Sequence, residues 1–217
     1  MATTKWKIDC VIYDCDGVLF DSLEANRRLY NFIAKSMGRG ELTEEEIKYC
    51  HTHTVFESLK YMFKGPDMEK KAVDFLKNQV QLADYIVYLK MEPHLLDALD
   101  ILKSRGIIRA ISTNRTTSMK HIMDRYNLWG YFDMVVTALD VANPKPHPES
   151  VEKIIESFNV RRENILFIGD SEVDRQTAVS SGVKFISYKN IELPCDGFID
   201  DHLLLMDFLL DGHSSPE

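Results

Sequence analysis

Residues 10–22, CVIYDCDGVLFDS, decide how the rest of this 217-residue chain is read. An apolar run ends in Asp14, and Asp16 and Gly17 follow at once. Side chains alternate across an extended strand, so carboxylates two residues apart leave it on the same side. Two acids in one pocket raise each other's pKa unless something positive lies between them, so the pair calls for a shared proton or a divalent cation. Gly17 lets the backbone approach a ligand closely. A carboxylate beside a hard cation suits phosphoryl chemistry, although a strand that simply ends in a polar turn also fits these few residues.

Three later segments each supply a part that the same chemistry needs. In RAISTNR, residues 109–115, an apolar run ends in Ser112, Thr113 and Asn114, whose hydroxyl and amide groups can donate to phosphate oxygens without adding charge. In ANPKPHPES, residues 142–150, Lys145 stands between Pro144 and Pro146, which exclude helix and central strand and stiffen the chain around one cation. In LFIGDSEVDRQTA, residues 166–178, a strand breaks at Gly169 and a polar helix begins, with Asp170 near its cap and Asp174 four residues on, sharing its face. Each segment has an ordinary reading as a loop or a cap. Together they are strand ends carrying site residues, and the carboxyl ends of parallel strands converge on one crevice.

With all four segments in view, the chain resembles the haloacid dehalogenase-like superfamily of aspartate-nucleophile phosphohydrolases, from about residue 8 to the last helix. GDSEVD and NPKPHPE resemble its phosphoglycolate phosphatase and β-phosphoglucomutase branch, which carries a small helical cap. The resemblance implies Asp14 as the nucleophile that becomes an aspartyl-phosphate and Asp16 as the acid that protonates the leaving oxygen and then activates water. It implies Thr113 and Lys145 as holders of the phosphoryl group. It implies a magnesium ion bound by Asp14, the main-chain carbonyl of Asp16, and Asp170, with Asp174 supporting the ion's waters or Lys145. β-Phosphoglucomutases usually carry a histidine where this chain has Asn26 and an arginine where it has Val55, and often an acidic residue in place of Gly169. Hydrolysis of small phosphate monoesters, phosphoglycolate phosphatase-like, is therefore expected ahead of sugar phosphomutase activity. A non-enzymatic phosphoacceptor or binding module is the remaining alternative, disfavoured because Cys15 separates acids that are adjacent in receiver modules.

Composition agrees with these expectations. A net charge of −8, from 34 acidic and 26 basic residues, argues against a nucleic-acid partner and leaves a small phosphorylated metabolite to be captured by a local cationic site. Cys10, Cys15, Cys50 and Cys195 form no Cys-x-x-Cys pair and read as buried, reduced thiols of a cytoplasmic protein. No segment has the roughly 18–20 apolar residues that span a bilayer, so no membrane partner is expected. The protein is expected to be a monomer or homodimer.

Along the chain, strand-like runs at 8–13, 107–112, 134–137, 165–168 and 183–187 alternate with helical patterns, which predicts an α/β fold: a Rossmann-like, doubly wound parallel sheet. Residues 22–90 break that rhythm with the capping boxes Thr43–Glu46 and Thr54–Glu57 and a helical stripe of Val73, Leu76, Val80 and Val87. They read as an inserted helical cap domain, with the catalytic core at 1–21 and 91–217 and hinges near 18–22 and 90–93. A lid there would contact the substrate beyond its phosphate, through candidates Asn26, Arg27, His51, His53 and Lys60. Asn114 and Arg115, which follow Thr113, are further phosphate-binding candidates. The tail GHSSPE reads as disordered.

Overall fold

The computed structural model describes residues 5–210, apart from the side chain of Thr52, so the tail GHSSPE lies outside the described residues. The chain divides into two compact units, one of residues 1–20 and 91–217, the other of residues 21–90.

The first unit is built on strand β1, Cys10–Tyr13, in which all four side chains are buried. Such a strand needs cover on both faces, as in a parallel sheet flanked by helices. After β1 the chain turns tightly, with the amides of Leu19 and Phe20 both donating to the Cys15 carbonyl. Two short strands, β2 (Phe20–Asp21) and β3 (Lys90–Met91), pair where the chain passes from one unit to the other.

The second unit holds α1 (Leu23–Ser36), α2 (Glu44–Thr52), α3 (Val55–Met62), α4 (Pro66–Gln79) and a 3₁₀ turn over 82–88. Its own core gathers Leu29, Ile33, Ile47, Leu59, Phe63 and Ala72. Both expected capping boxes are present, Thr43 and Thr54 each accepting from the amide three residues on while Glu46 and Glu57 reach back. The stripe does not continue as expected. α4 ends at Gln79, Val80 is extended, and Val87 lies in the 3₁₀ turn at 46% exposure. Apolar spacing alone does not encode a helix end, and no glycine or proline marks this one.

The first unit resumes with α5 (Leu95–Ser104), β4 (Ile108–Ser112), α6 (Ser118–Arg125), β5 (Met134–Val136), α7 (Glu149–Phe158), β6 (Ile165–Gly169), α8 (Glu172–Ser181), β7 (Lys184–Tyr188) and β8 (Gly197–Ile199). The strands form one parallel sheet in the order β5-β4-β1-β6-β7-β8. The chain runs outward from β1 to β4 and β5, then returns to the other side of β1 through β6. That reversal is the topological switch point where open α/β sheets bind ligands. One sheet face packs Cys10, Ile12, Ala110 and Phe167 with Val151 and Ile154 of α7 and Ala178 of α8. A sixth strand, β8, has no counterpart among the expected runs. Three of the four cysteines are buried, but Cys195 is exposed, because it lies in the loop before that short edge strand.

Candidate active site

The sheet register places the first site residues side by side. Tyr13 pairs with Ile111 of β4 and with Ile168 of β6, so Asp14, Ser112 and Gly169 follow on one line across three strands. The Asp14 amide donates to the Ile168 carbonyl and the Thr113 amide to that of Val136, which fixes both backbones just past their strands. Asp170 follows β6 directly. α8 is capped not by Asp170 but by Ser171, whose hydroxyl accepts from the Asp174 amide while the Asp174 carboxylate accepts from the Ser171 amide and hydroxyl. Asp170 precedes the helix, so it and Asp174 do not share a helix face; the box fixes Asp174 beside Ser171, and the carboxylates of Asp170 and Asp174 come within 4.8 Å of each other.

Lys145 arrives from the loop before α7. The Asn114 side-chain amide donates to the Lys145 carbonyl at 3.0 Å, and the carboxylate of Glu149 accepts from the amides of Ala142 and Asn143. The loop is thus tied to the end of β4 and to the first turn of α7. The Lys145 ammonium, 3% exposed, donates to Asp14 Oδ1 and to Asp174 Oδ1, both at 2.6 Å. Burial would discharge such an amine, yet the charges and hydrogen bonds of Asp14 and Asp174 hold it protonated well above its usual range.

The acids outnumber that cation. Asp14, Asp170 and Asp174 offer carboxylate oxygens that all lie within 4.8 Å of one another. Burial, then the negative charge of Asp174, pushes Asp14 up to about 7 despite Lys145, and burial with the neighbouring acids raises Asp170 well above the usual carboxylate range. Two close acids kept from ionising by burial and mutual repulsion are what a divalent cation would relieve, and an all-oxygen donor set suits a hard ion. The backbone makes room for this crowding. A Cβ on Gly17, whose φ is +74°, would sit 2.0 Å from Asp170 Oδ2, and one on Gly169 would sit 2.2 Å from Asp174 Cβ. Among the described residues, these acids could hold a metal ion.

The other expected site residues are distributed as follows. Asp16 lies outside the three-acid cluster, and its carboxylate is gripped by Arg115, Nε to Oδ2 and Nη2 to Oδ1, both at 2.6 Å. Thr113 is buried, and its hydroxyl accepts from the Arg115 amide at 3.1 Å. In the helical unit, the Asn26 side chain bonds His51 Nδ1 at 3.1 Å, His53 bonds the Tyr49 carbonyl and stacks on the Tyr49 ring, and Arg27 pairs with Glu44. Three positioning residues went unmarked in the sequence reading: Ser171, Glu149, and Asn190, which donates to the Asp170 carbonyl at 2.8 Å. Ser171 was within reach, since Ser-x-x-Asp before a helix is a capping signature.

The chain belongs to the haloacid dehalogenase-like hydrolase family, whose model matches residues 11–188. It is 28% identical over 175 residues to a phosphoglycolate phosphatase of Aquifex aeolicus, covering 80% of this chain and 81% of that one. It is 28% identical over 184 residues to a phosphorylated carbohydrates phosphatase of Thermotoga maritima, covering 82% and 84%. A solved hydrolase of subfamily IA of this superfamily, from Geobacter sulfurreducens, superimposes with a TM-score of 0.81 at 38% identity over 97% of this chain and all of that one, 100%.

Proposed function

We propose that the protein is a magnesium-dependent phosphatase of small phosphate monoesters, phosphoglycolate phosphatase-like, that works through an aspartyl-phosphate on Asp14. The observation that carries this reading is the buried Lys145 ammonium shared between Asp14 and Asp174, in a cluster of three acids at the switch point of the sheet. Asp14 attacks the phosphorus, the bond to the ester oxygen breaks, and Asp16 gives that oxygen its proton. A water then loses a proton to Asp16 and attacks the same phosphorus, which releases phosphate and restores Asp14. Splitting one displacement into two in-line steps lowers each barrier. Lys145 offsets the phosphoryl charge that would repel Asp14, and Thr113 and Asn114 orient its oxygens. Asp14, the Asp16 carbonyl and Asp170 would hold the magnesium, with Asp174 steadying its waters, and the ion would neutralise phosphoryl charge as a Lewis acid.

Choice among esters is assigned to residues 22–90, with Asn26, His51 and His53 as first candidates. In a chain of net charge −8, Lys145 is the local cation that would capture a small phosphorylated metabolite, and the cytoplasm fits four free cysteines. No helix among the described residues is long and apolar enough to cross a membrane. The deciding experiment is phosphate release from 4-nitrophenyl phosphate and from a panel of small phosphorylated metabolites, with and without magnesium. Wild type should turn over several, and Asp14→Asn should lose activity by on the order of 10⁴-fold or more. Retained turnover in Asp14→Asn rejects the nucleophile. Conversion of glucose 1-phosphate to the 6-phosphate without free phosphate replaces hydrolysis with mutase activity.

A further inference from the structure

The grip on Asp16 is complete. Both carboxylate oxygens accept from one guanidinium at 2.6 Å, the parallel fork that makes arginine–carboxylate pairs strong and directional. The arginine comes from 99 residues along the chain and is itself anchored. Its amide donates to Thr113 Oγ1, its carbonyl accepts from the Ala138 amide, and its third nitrogen faces Ser118 Oγ at 3.4 Å. The Arg115 side chain is 18% exposed, against 39% for Asp16, so the guanidinium is the more buried partner of the pair. Arg115 follows Thr113 and Asn114 past the end of β4, the strand next to the one that leads to Asp14.

We propose that Arg115 is the positioning residue for Asp16, and that a phosphate group entering the site competes with Asp16 for this guanidinium. The inference rests on the phosphatase reading for its catalytic consequence. An acid with both oxygens in this fork is fixed in orientation, so Asp16 must give up at least one contact to turn toward a leaving group. A phosphate dianion presents the same pair of oxygens to the fork. Exchange of one oxyanion for the other keeps the guanidinium paired throughout, whereas opening the pair without a replacement strands a largely buried charge. Asp16 is thereby held away while the site lacks phosphate and released when phosphate arrives.

Five proteins test this: wild type, Asp16→Asn, Arg115→Met, the double variant and, as the milder change, Arg115→Lys, with thermal melts to confirm folding. Binding of inorganic phosphate in the presence of magnesium, followed by calorimetry, needs no turnover. Asp16→Asn should bind phosphate about tenfold tighter than wild type, and the gain should vanish when Arg115→Met is added. A gain of the same size in the Arg115→Met background shows mere removal of a negative charge and overturns the proposal, as does no gain at all. In turnover, Arg115→Met loses a phosphate contact whatever the leaving group, so kcat/KM should fall about tenfold on an alkyl phosphate and on 4-nitrophenyl phosphate alike, with Arg115→Lys between. A much larger loss on the alkyl phosphate, whose leaving oxygen needs a proton, would show that Arg115 still holds Asp16 during the reaction, and also overturns the exchange. If wild type hydrolyses neither ester, the phosphatase reading falls, while the calorimetry still decides whether Asp16 and phosphate compete.

Discussion

In the core unit, Lys145 is 3% exposed and faces two carboxylates that are 11% and 1% exposed. In the helical unit, Arg27 is 30% exposed and faces Glu44 at 79%. Both are short ion pairs, and their physics differs. Removing charges from water is costly, and a buried cluster recovers that cost only while every member is present. An exposed pair gives up little solvation and gains little. A fold tolerates the first kind where chemistry needs concentrated charge, and the second kind forms on any charged surface.

The largest way to test that contrast is to remove one cation from each unit. Lys145→Met leaves Asp14 and Asp174 buried without a counter-charge, and should cost about 3–5 kcal/mol of unfolding free energy. Arg27→Met should cost under about 1 kcal/mol. Urea denaturation, followed by circular dichroism, measures both. The Lys145 variant should also lose phosphate release, and magnesium should return part of its stability, because a cation restores a partner to the same acids. Comparable small losses in the two variants would mean that the buried cluster is solvated in the folded protein and that its charges are not concentrated.

Much of this core was legible beforehand, because parallel strands announce themselves by continuous apolar runs and a polar residue at the end of each. The convergence of Asp14, Lys145, Asp170 and Asp174 follows from the fold class, since residues at carboxyl ends of neighbouring strands have one crevice to meet in. What stayed illegible has physical causes. β8 is three residues long at a sheet edge, too short for any periodicity. The grip of Arg115 on Asp16 depends on rotamers chosen by residues 99 positions apart. His202 belongs to no motif, yet it is fully buried, stacked on Tyr188 at 4.6 Å, and bonded through Nε2 to the Val18 carbonyl in the turn after β1.

That histidine offers the second test. Its Nδ1 is buried without a hydrogen-bond partner, and burial depresses its pKa from 6.5 to about 4 against the opposing pull of the Val18 bond and Asp201. Between those two values the unfolded chain binds a proton that the folded chain refuses, so stability rises with pH across the interval and is lost as pH falls through it. The size is on the order of 3 kcal/mol. His94, exposed and paired with Asp201, has a raised pKa and acts in the opposite sense, but its surface position screens it. Asp14 and Asp170, both raised, act in the opposite sense over the same interval, so the change in urea midpoint from pH 4.5 to 7 should be more positive in wild type than in His202→Gln, which cannot take up the proton. An equal pH dependence in the variant would mean that burial of His202 does not set it.

The smallest test asks how far the two units depend on each other. Thr43 and Thr54 each cap a helix of the second unit through a reciprocal box with Glu46 and Glu57. Truncating either hydroxyl removes one acceptor from an exposed helix start, which costs about 1 kcal/mol. No residue of the three-acid cluster belongs to that unit. Hydrolysis of 4-nitrophenyl phosphate should therefore survive in Thr43→Ala and Thr54→Ala at kcat values within about twofold of wild type. Amide exchange should meanwhile speed up in α2 or α3 and stay unchanged along β1 and β6, because local opening follows the free energy of the unit that contains it. If exchange rises equally in the strands, the chain unfolds as one cooperative body, and the loss of a cap lowers the stability of the active site as much as that of the helix it terminates.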